Sequence, residues 1–296
     1  MRPPLVIVNP ASRGGRGASD WPFAASALRS HFGPFECRFT AGPGDAARIA
    51  REEADRGREL LLTFGGDGTI SESARGILES GKPVALGILP HGTGGDLLRS
   101  LPLPTRLADA ARALRRGRTM AIDVGRAVFE DRRESCFVNC ASFGLSAEVA
   151  RRVSRREGGG YVGETVRAAS EYGFPEVELS VDGGPRRRLR ITTVSLHNGR
   201  FFGGGMKMAP EAKLTDGLLD LVVVKKISLA RLVRESPLLY LGAHLGLPEV
   251  EHGRVSVVEA RPVNPDSEIL VEIDGEAEYR LPARFEIRRG ALRVRI

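Results

Sequence analysis

The segment ELLLTF, residues 59–64, is apolar without alternation and stops at Gly65-Gly66-Asp67-Gly68, after which TISESARGILES has the spacing of a helix. A strand with no polar face is one buried on both sides, and that requires helices above and below a parallel sheet. The surrounding sequence repeats the theme. PLVIVNP, FECRFT and VALGILP read as further strands. SDWPFAASALRSHF, GDAARIAREEADRG, GDLLRSL and RLADAARALRRG read as helices, the first with Ser19 or Asp20 as N-cap and the second stopped by Gly57. Strand and helix in alternation over the first ~120 residues specify an α/β domain with helices on both faces of the sheet.

From Met120 the texture changes. MAIDVGRAVF, ESCFVNCAS, EVELSVDG, LRITTVSLHN, GLLDLVVVKK, RVSVVEARPV, EILVEIDGE and RFEIRRG are short, apolar or alternating, and separated by turn residues. That is the pattern of a β-rich sandwich. Two helical insertions interrupt it, AEVARRVSRR continuing through YVGETVRAASEYG, and LARLVRESPLLYLGAHLG. RREGGGY reads as a linker inside the second domain. The expected domains are 1–122 and 123–296, with the last strand left open to return to the first.

Charge bounds the partners without naming one. The net charge is +7, and lysine contributes only Lys82, Lys207, Lys213, Lys225 and Lys226. Arginine clusters at 112–118, 151–156 and 186–188 favour anionic surfaces, or they are solvated faces of an arginine-rich chain. Aromatic residues are 6% and none is interleaved with these arginines, which argues against nucleic acid. No apolar run approaches the roughly 20 residues that span a bilayer. Three cysteines without metal-ligand spacing suggest a reducing cytoplasm.

The glycine turn at 65–68 has two readings. Glycines there supply positive φ for a tight turn, or they let backbone amides approach a phosphate at a helix N-terminus. Neither a Walker A lysine nor a Gly-x-Gly-x-x-Gly pattern accompanies it. A second strand-to-helix glycine turn, PHGTGGDLL, carries Thr93 between glycines and Asp96 as the expected N-cap of the next helix. With Asn9-Pro10 and SRGG after the first strand, three loops gather at the carboxyl edge of one parallel sheet, where α/β folds bind ligands. A carboxylate inside a phosphate loop, Asp67, implies a divalent cation or proton transfer. Downstream, TDGLLD and IDGE place Asp216 and Glu276 in Asp-Gly segments that hairpins also use. Arg48 reads equally as a phosphate ligand or a solvated helix residue. His91 and His197 sit beside these loops and read as packing or hydrogen-bonding residues.

VNPASRGG, FGGDGT, PHGTGGD, FVNCASFG, HNGRFFGGGMKMAPEAKLTDGLLDLVVV and EIDGE follow one another in the order of the diacylglycerol kinase catalytic-domain family, which includes bacterial lipid kinases and the sphingosine and ceramide kinases. The chain resembles that family over essentially its whole length. GGDGT alone is shared with NAD kinases, whereas GGGMKMAPEAKLTDGLLD is specific to the lipid kinases. The resemblance implies an ATP- and Mg²⁺-dependent kinase of a lipid alcohol, diacylglycerol first, working in the cytoplasm at the inner membrane surface. ATP and lipid would meet in a cleft between the domains.

By position, Asn9, Thr40, Gly65, Gly66, Asp67, Gly68, Thr69, Thr93 and Asp96 would hold ATP. Asp216 with the carbonyls of Lys213 and Leu218 would hold Mg²⁺, and Glu276 would act as general base, with Asp67 beside the reacting groups. Asn198 and Gly203–Gly205 match the family's cleft-facing loop. Gly95 stands where the family usually has Asn, which bears on ATP binding. An NAD kinase-like enzyme, a non-catalytic nucleotide- or lipid-binding protein and a homodimer are the alternatives left open.

Overall fold

The computed structural model describes residues 2–92, 94–155, 168 and 171–296. Thr93, nearly all of RREGGGY and most of the helical stretch that follows it lie outside the described residues. The chain forms two compact units, Met1–Asp123 with Arg289–Ile296, and Val124–Arg288.

In the first unit the strands are β1 (Leu5–Val8), β2 (Glu36–Phe39), β3 (Leu60–Gly65), β4 (Ala85–Pro90) and the end of β15 (Ala283–Arg295). They lie in the order β2-β1-β3-β4-β15, and every neighbouring pair is parallel. All four residues of β1 are buried, as are the last five of β3, so the unalternating apolar runs do mark strands covered on both faces. The helices are α1 (Arg16–His31), α2 (Asp45–Asp55), α3 (Asp67–Ser80), α4 (Asp96–Ser100) and α5 (Leu107–Arg116). The chain leaves β1 for β2 on one side, then crosses back to β3 on the other. Right-handed crossovers therefore set α1 on one face and α2 with α3 on the opposite one. α2 packs on α3, and α1 on α5. The reversal between β1 and β3 is a topological switch point, which opens a crevice outside the carboxyl ends of those two strands. On β15, Arg295 donates from its guanidinium to the Leu114 carbonyl at the end of α5 (2.9 Å).

α1 begins earlier than its polar residues suggest. Its N-cap is Gly15 at φ 90°, and Ser19 lies inside the helix, donating to the Arg16 carbonyl at 3.0 Å. A left-handed glycine starts the helix, so neither Ser19 nor Asp20 caps it, and Asp20 is free for other work. Arg48 pairs with Asp45 and Glu52 on the exposed side of α2.

The second unit holds most of β5 (Thr119–Phe129), then β6 (Glu134–Phe137), β7 (Cys140–Gly144), α6 (Leu145–Arg155), β8 (Glu176–Val181) and β9 (Arg187–His197). β10 (Leu219–Lys225), α7 (Leu229–Leu241), β11 (Val250–Val255), β12 (Val257–Pro262), β13 (Leu270–Ile273) and β14 (Glu276–Arg280) follow. β9 belongs to two layers. Its first residues pair with β8, and it pairs with β10 from Ile191 and with β7 from Thr193. The layers close over Phe137, Phe143, Val194, Leu221, Val258 and Phe285. Alternation then sorts β7: Ala141 and Phe143 face this core, while Ser142 points the other way and donates to Glu272 of β13 at 2.5 Å. Among the described residues no helix is long and apolar enough to cross a membrane.

Candidate functional site

Three loops leave the carboxyl ends of β1, β3 and β4, and each pair is tied through a side chain. Asn9, the first residue after β1, accepts from the Ala11 amide through Oδ1 (3.0 Å) and donates from Nδ2 to Thr69 Oγ1 (2.9 Å). That bond joins the first loop to the start of α3. Thr40 follows β2, buried, with its amide on the Val8 carbonyl at 2.9 Å.

The glycines between β3 and α3 do not serve positive φ, since Gly65, Gly66 and Gly68 are absent from the left-handed residues of the chain. Gly65 is bare because Thr69 occupies its side-chain space; a Cβ there would lie 2.4 Å from Thr69 Oγ1. At Gly66 and Gly68 a Cβ would meet nothing within 4 Å. The backbone thus presents the N-terminus of a 14-residue helix to open space, the arrangement in which amides and the helix dipole favour an anion.

Asp67, the first residue of α3, turns away from that space. Its Oδ2 accepts from the Gly95 amide (2.8 Å) and its Oδ1 from the Asp96 amide (3.0 Å), which ties the second loop to the third. Burial pushes the Asp67 carboxyl above the usual range, and the amides of Gly95, Asp96 and Leu97 pull it back only in part. Gly94 is held so close that a Cβ would stand 2.6 Å from Asp67 Oδ2. The N-cap of α4 is Gly95, not Asp96. Gly95 adopts φ 63°, ψ 35°, and Asp96 is the buried first residue of the helix. This left-handed conformation is the one that glycine and asparagine take most readily, so glycine here keeps the backbone that asparagine would also allow. Thr93 lies outside the described residues. The third tie is between Ser12 Oγ and His91 Nδ1 at 3.0 Å, joining the first loop to the third.

In the second unit, Asp216 and Leu218 share one turn, the Leu218 amide donating to Asp216 Oδ1 at 3.1 Å around Gly217 at φ 75°. The other oxygen, Oδ2, is buried with no hydrogen-bond partner among the described residues. Asp220, two residues further, is pushed up to about 6, by burial first and with Asp216 adding to it. Lys213 is exposed just before this turn. Glu276 opens β14 on a separate hairpin, directly after Asp274 (φ 47°) and Gly275 (φ 95°).

Sequence reasoning passed over Asp274. Its carboxylate accepts from the amides of Val138, Asn139 and Cys140 at 2.8 to 3.0 Å, fixing the hairpin that presents Glu276 against β7. An Asp-Gly turn was visible in the sequence, but the amides it binds are more than 130 positions away. Asn198 is buried and donates to the Val138 carbonyl at 2.8 Å, and Gly203, Gly204 and Gly205 are all left-handed. His197 is wholly buried, and that burial holds it near 3, so it stays neutral and packs.

The diacylglycerol kinase catalytic domain matches residues 3–127, and the YegS C-terminal NAD kinase beta sandwich-like domain matches residues 139–296. A diacylglycerol kinase of Mycobacterium tuberculosis is 30% identical, the alignment covering 98% of this chain and 93% of that protein. A probable lipid kinase YegS-like of Klebsiella pneumoniae is 29% identical over 99% of this chain and 95% of its own length. A crystal structure of a putative diacylglycerol kinase from Bacillus anthracis covers 99% of this chain and 94% of that one, with a TM-score of 0.79 at 25% identity. A glycine-lined helix N-terminus at the switch point of one unit, and matches that run unbroken through both, make this chain a member of the diacylglycerol kinase and YegS-like lipid kinase family, a phosphotransferase acting on a lipid alcohol.

Proposed function

We propose that this lipid kinase transfers the γ-phosphoryl group of ATP to the hydroxyl of a neutral lipid alcohol, diacylglycerol first, with Mg²⁺ as the metal. The observation that carries the nucleotide half is the bare backbone of Gly66 and Gly68 at the start of α3, open where any side chain would intrude. Asn9, Thr40, Gly65 to Thr69, Thr93 and Asp96 are the residues assigned to ATP. In this reading Asp67 acts by holding the Gly95 and Asp96 amides, which shapes the third loop around the phosphates. Such positioning is most of what phosphoryl transfer asks of a protein.

The turn at Asp216 fits a hard cation, because Oδ2 is buried without a partner and Mg²⁺ takes oxygen ligands. Asp216 with the carbonyls of Lys213 and Leu218 would hold Mg²⁺, whose charge offsets that of the triphosphate. Glu276, held on a hairpin fixed by Asp274, is assigned the proton of the acceptor hydroxyl.

An apolar cavity of about 110 Å³ in the second unit supports a lipid acceptor. Leu145, Val149, Phe202, Met206, Leu232 and Leu239 are among its walls. α7 covers it, and α7 also leaves large apolar side chains exposed beside Arg234: Val233 and Tyr240 are each 50% exposed and Leu241 72%. Large apolar side chains left exposed together mark a surface that meets an apolar phase, and exposed Lys226 and Lys207 flank the helix, which itself carries Arg231 and Arg234. The outer face of α7 is therefore the side that meets the membrane, from the cytoplasm and without spanning it. Incubation of the pure enzyme with labelled ATP, Mg²⁺ and a panel of diacylglycerol, ceramide, sphingosine and NAD tests the reading. Phosphatidic acid should form and Glu276→Gln should abolish it. Labelling of NAD alone, or ATP binding with no labelled product, would refute it.

A further inference from the structure

We propose that His91 is a positioning residue for the nucleotide loops and that it works as a doubly protonated imidazolium, so that pH sets how firmly the first loop is held. This rests on the nucleotide reading above. His91 follows β4, buried, its ring stacked on Phe64 at 4.0 Å and 24°. Phe64 in turn packs on Trp21 of α1 at 5.3 Å, so the plane of the imidazole is fixed. Nδ1 faces Ser12 Oγ at 3.0 Å, and Nε2 faces Asp20 Oδ2 at 3.1 Å.

Ser12 Oγ has a second contact, the Asn9 carbonyl at 2.8 Å. Counting hydrogens decides the ionisation. The hydroxyl carries one proton and the carbonyl can only accept. If Ser12 donates to Asn9, it must accept from Nδ1–H, and the carboxylate must accept from Nε2–H. Both ring nitrogens then donate, and the ring is an imidazolium. A neutral ring loses one contact. Either Ser12 turns its proton to Nδ1 and abandons the Asn9 carbonyl, or a nitrogen lone pair faces the Asp20 carboxylate. The polarity also differs from that of a hydrolytic triad: the serine is buried, and its proton is committed to the backbone.

The groups facing the ring come from three elements. α1 supplies Asp20, whose carboxyl is held below its ordinary value by the hydrogen bond to His91 first, and also by Arg16 and Arg13. β3 supplies the ring of Phe64, and the first loop supplies the hydroxyl of Ser12. Asp20 is thus an anion throughout the range in which an imidazole titrates. The first loop has little slack. A Cβ on Gly17 would lie 2.3 Å from the Asn9 carbonyl oxygen and 2.6 Å from Ser12 Oγ. Release of Ser12 therefore reaches Asn9, whose amide binds Thr69 at the start of α3.

The test uses ring ¹H–¹⁵N spectra and ATP titrations on the whole protein at pH 6 and pH 8.5. At pH 6 both His91 nitrogens should be protonated, and Asp20→Asn should move their deprotonation to lower pH. The wild-type Kd for ATP should rise about three- to tenfold at pH 8.5, the worth of one hydrogen bond. His91→Gln should show no such rise beyond that of ATP's own titration, with a Kd near the alkaline wild-type value at both pH values. His91→Leu, which keeps the packing on Phe64, checks that the variants fold. A neutral ring at pH 6, or a His91→Gln profile parallel to wild type, overturns the proposal. A wild type that binds no ATP refutes the nucleotide reading instead, and the ring spectrum still decides the ionisation.

Discussion

Removing the Asp67 carboxylate separates loop holding from direct chemistry. Its two oxygens accept from the Gly95 and Asp96 amides at 2.8 and 3.0 Å. A hydrogen bond to a charged group contributes about 1.5–3 kcal/mol, so the pair is worth roughly 3–6 kcal/mol before the burial of the carboxylate is charged against it. The raised value shows that burial offsets what the bonds return, so the cost of Asp67→Ala lies in the two amides it leaves unpaired, about 1–2 kcal/mol each and about 2–4 kcal/mol together. If that energy holds the third loop in place, Asp67→Ala lowers the population of the ordered loop by about 30- to 1,000-fold. kcat/KM for phosphorylation of diacylglycerol in mixed micelles should fall by the same factor, with the melting temperature of the protein little changed. Asp67→Asn keeps one acceptor and presents an amide group to the other N–H, so it should fall between wild type and Ala. A direct metal role predicts differently, since excess Mg²⁺ would then restore Asp67→Asn. Turnover of Asp67→Ala equal to wild type, or rescue of Asp67→Asn by Mg²⁺, would refute the loop-holding argument.

Gly95→Asn should keep kcat/KM within about twofold, because φ 63° suits both residues, whereas Gly95→Val should cost about 1–2 kcal/mol in urea unfolding and lose activity with it. Val233→Glu with Leu241→Glu should weaken cosedimentation with vesicles containing anionic lipid while turnover of a dispersed short-chain diacylglycerol stays within about twofold; unchanged sedimentation would remove α7 from the membrane face. His197 gives a pH dependence of stability. Its folded value is held near 3 and the unfolded ring takes a proton below about 6.5, so its contribution is complete above that value and is lost as pH falls. Unfolding free energy should drop by about 2 kcal/mol between pH 7.5 and pH 5, and His197→Gln should flatten that slope.

The first unit was legible because its strands are covered on both faces, and continuous apolar runs such as LVIV and LLLTFG leave no other solution. The change to short alternating segments marked the β-rich part for the same reason, through the one-sided burial of strands such as β6. Long-range pairing was not legible. Nothing near β9 says that its first half joins β8 and its second half β7 and β10, because register is decided by partners from distant sequence. Helix starts misled where glycine competes with polar caps. Gly15 and Gly95 begin α1 and α4 in left-handed conformations, ahead of Ser19, Asp20 and Asp96. The local pattern marks a cap by its side chain, whereas here the backbone does the capping. The contacts of Ser12 and Asp20 with His91 carried no signal, since they depend on a histidine more than 70 positions away.

The three loops at the switch point are held by side chains for a reason that lies in the parallel sheet itself. Hydrogen bonds between parallel strands end where the strands end, so the loops beyond β1, β3 and β4 have no ladder to fix them against one another. Asn9 on Thr69, Asp67 on the Gly95 and Asp96 amides, and Ser12 on His91 close a triangle in which each loop is tied to the other two. A closed triangle is stiffer than its members, because releasing one corner leaves two loops joined but the third free to turn. This makes the three ties unequal in what they control. Asn9–Thr69 is a bond between neutral groups, and no titration in the working range reaches it. The Asp67 tie keeps two amides on a buried carboxyl whose value lies above the usual range, so the tied state holds a proton more firmly than a free carboxyl would and acid does not oppose it. The Ser12–His91 tie needs both ring nitrogens protonated, so base weakens it. pH therefore acts on the proposed nucleotide edge from the alkaline side, through His91, and the double variant His91→Gln, Asp67→Asn should show an ATP affinity with no alkaline limb beyond the titration of ATP itself; a remaining alkaline limb would place a further titrating group at the loops.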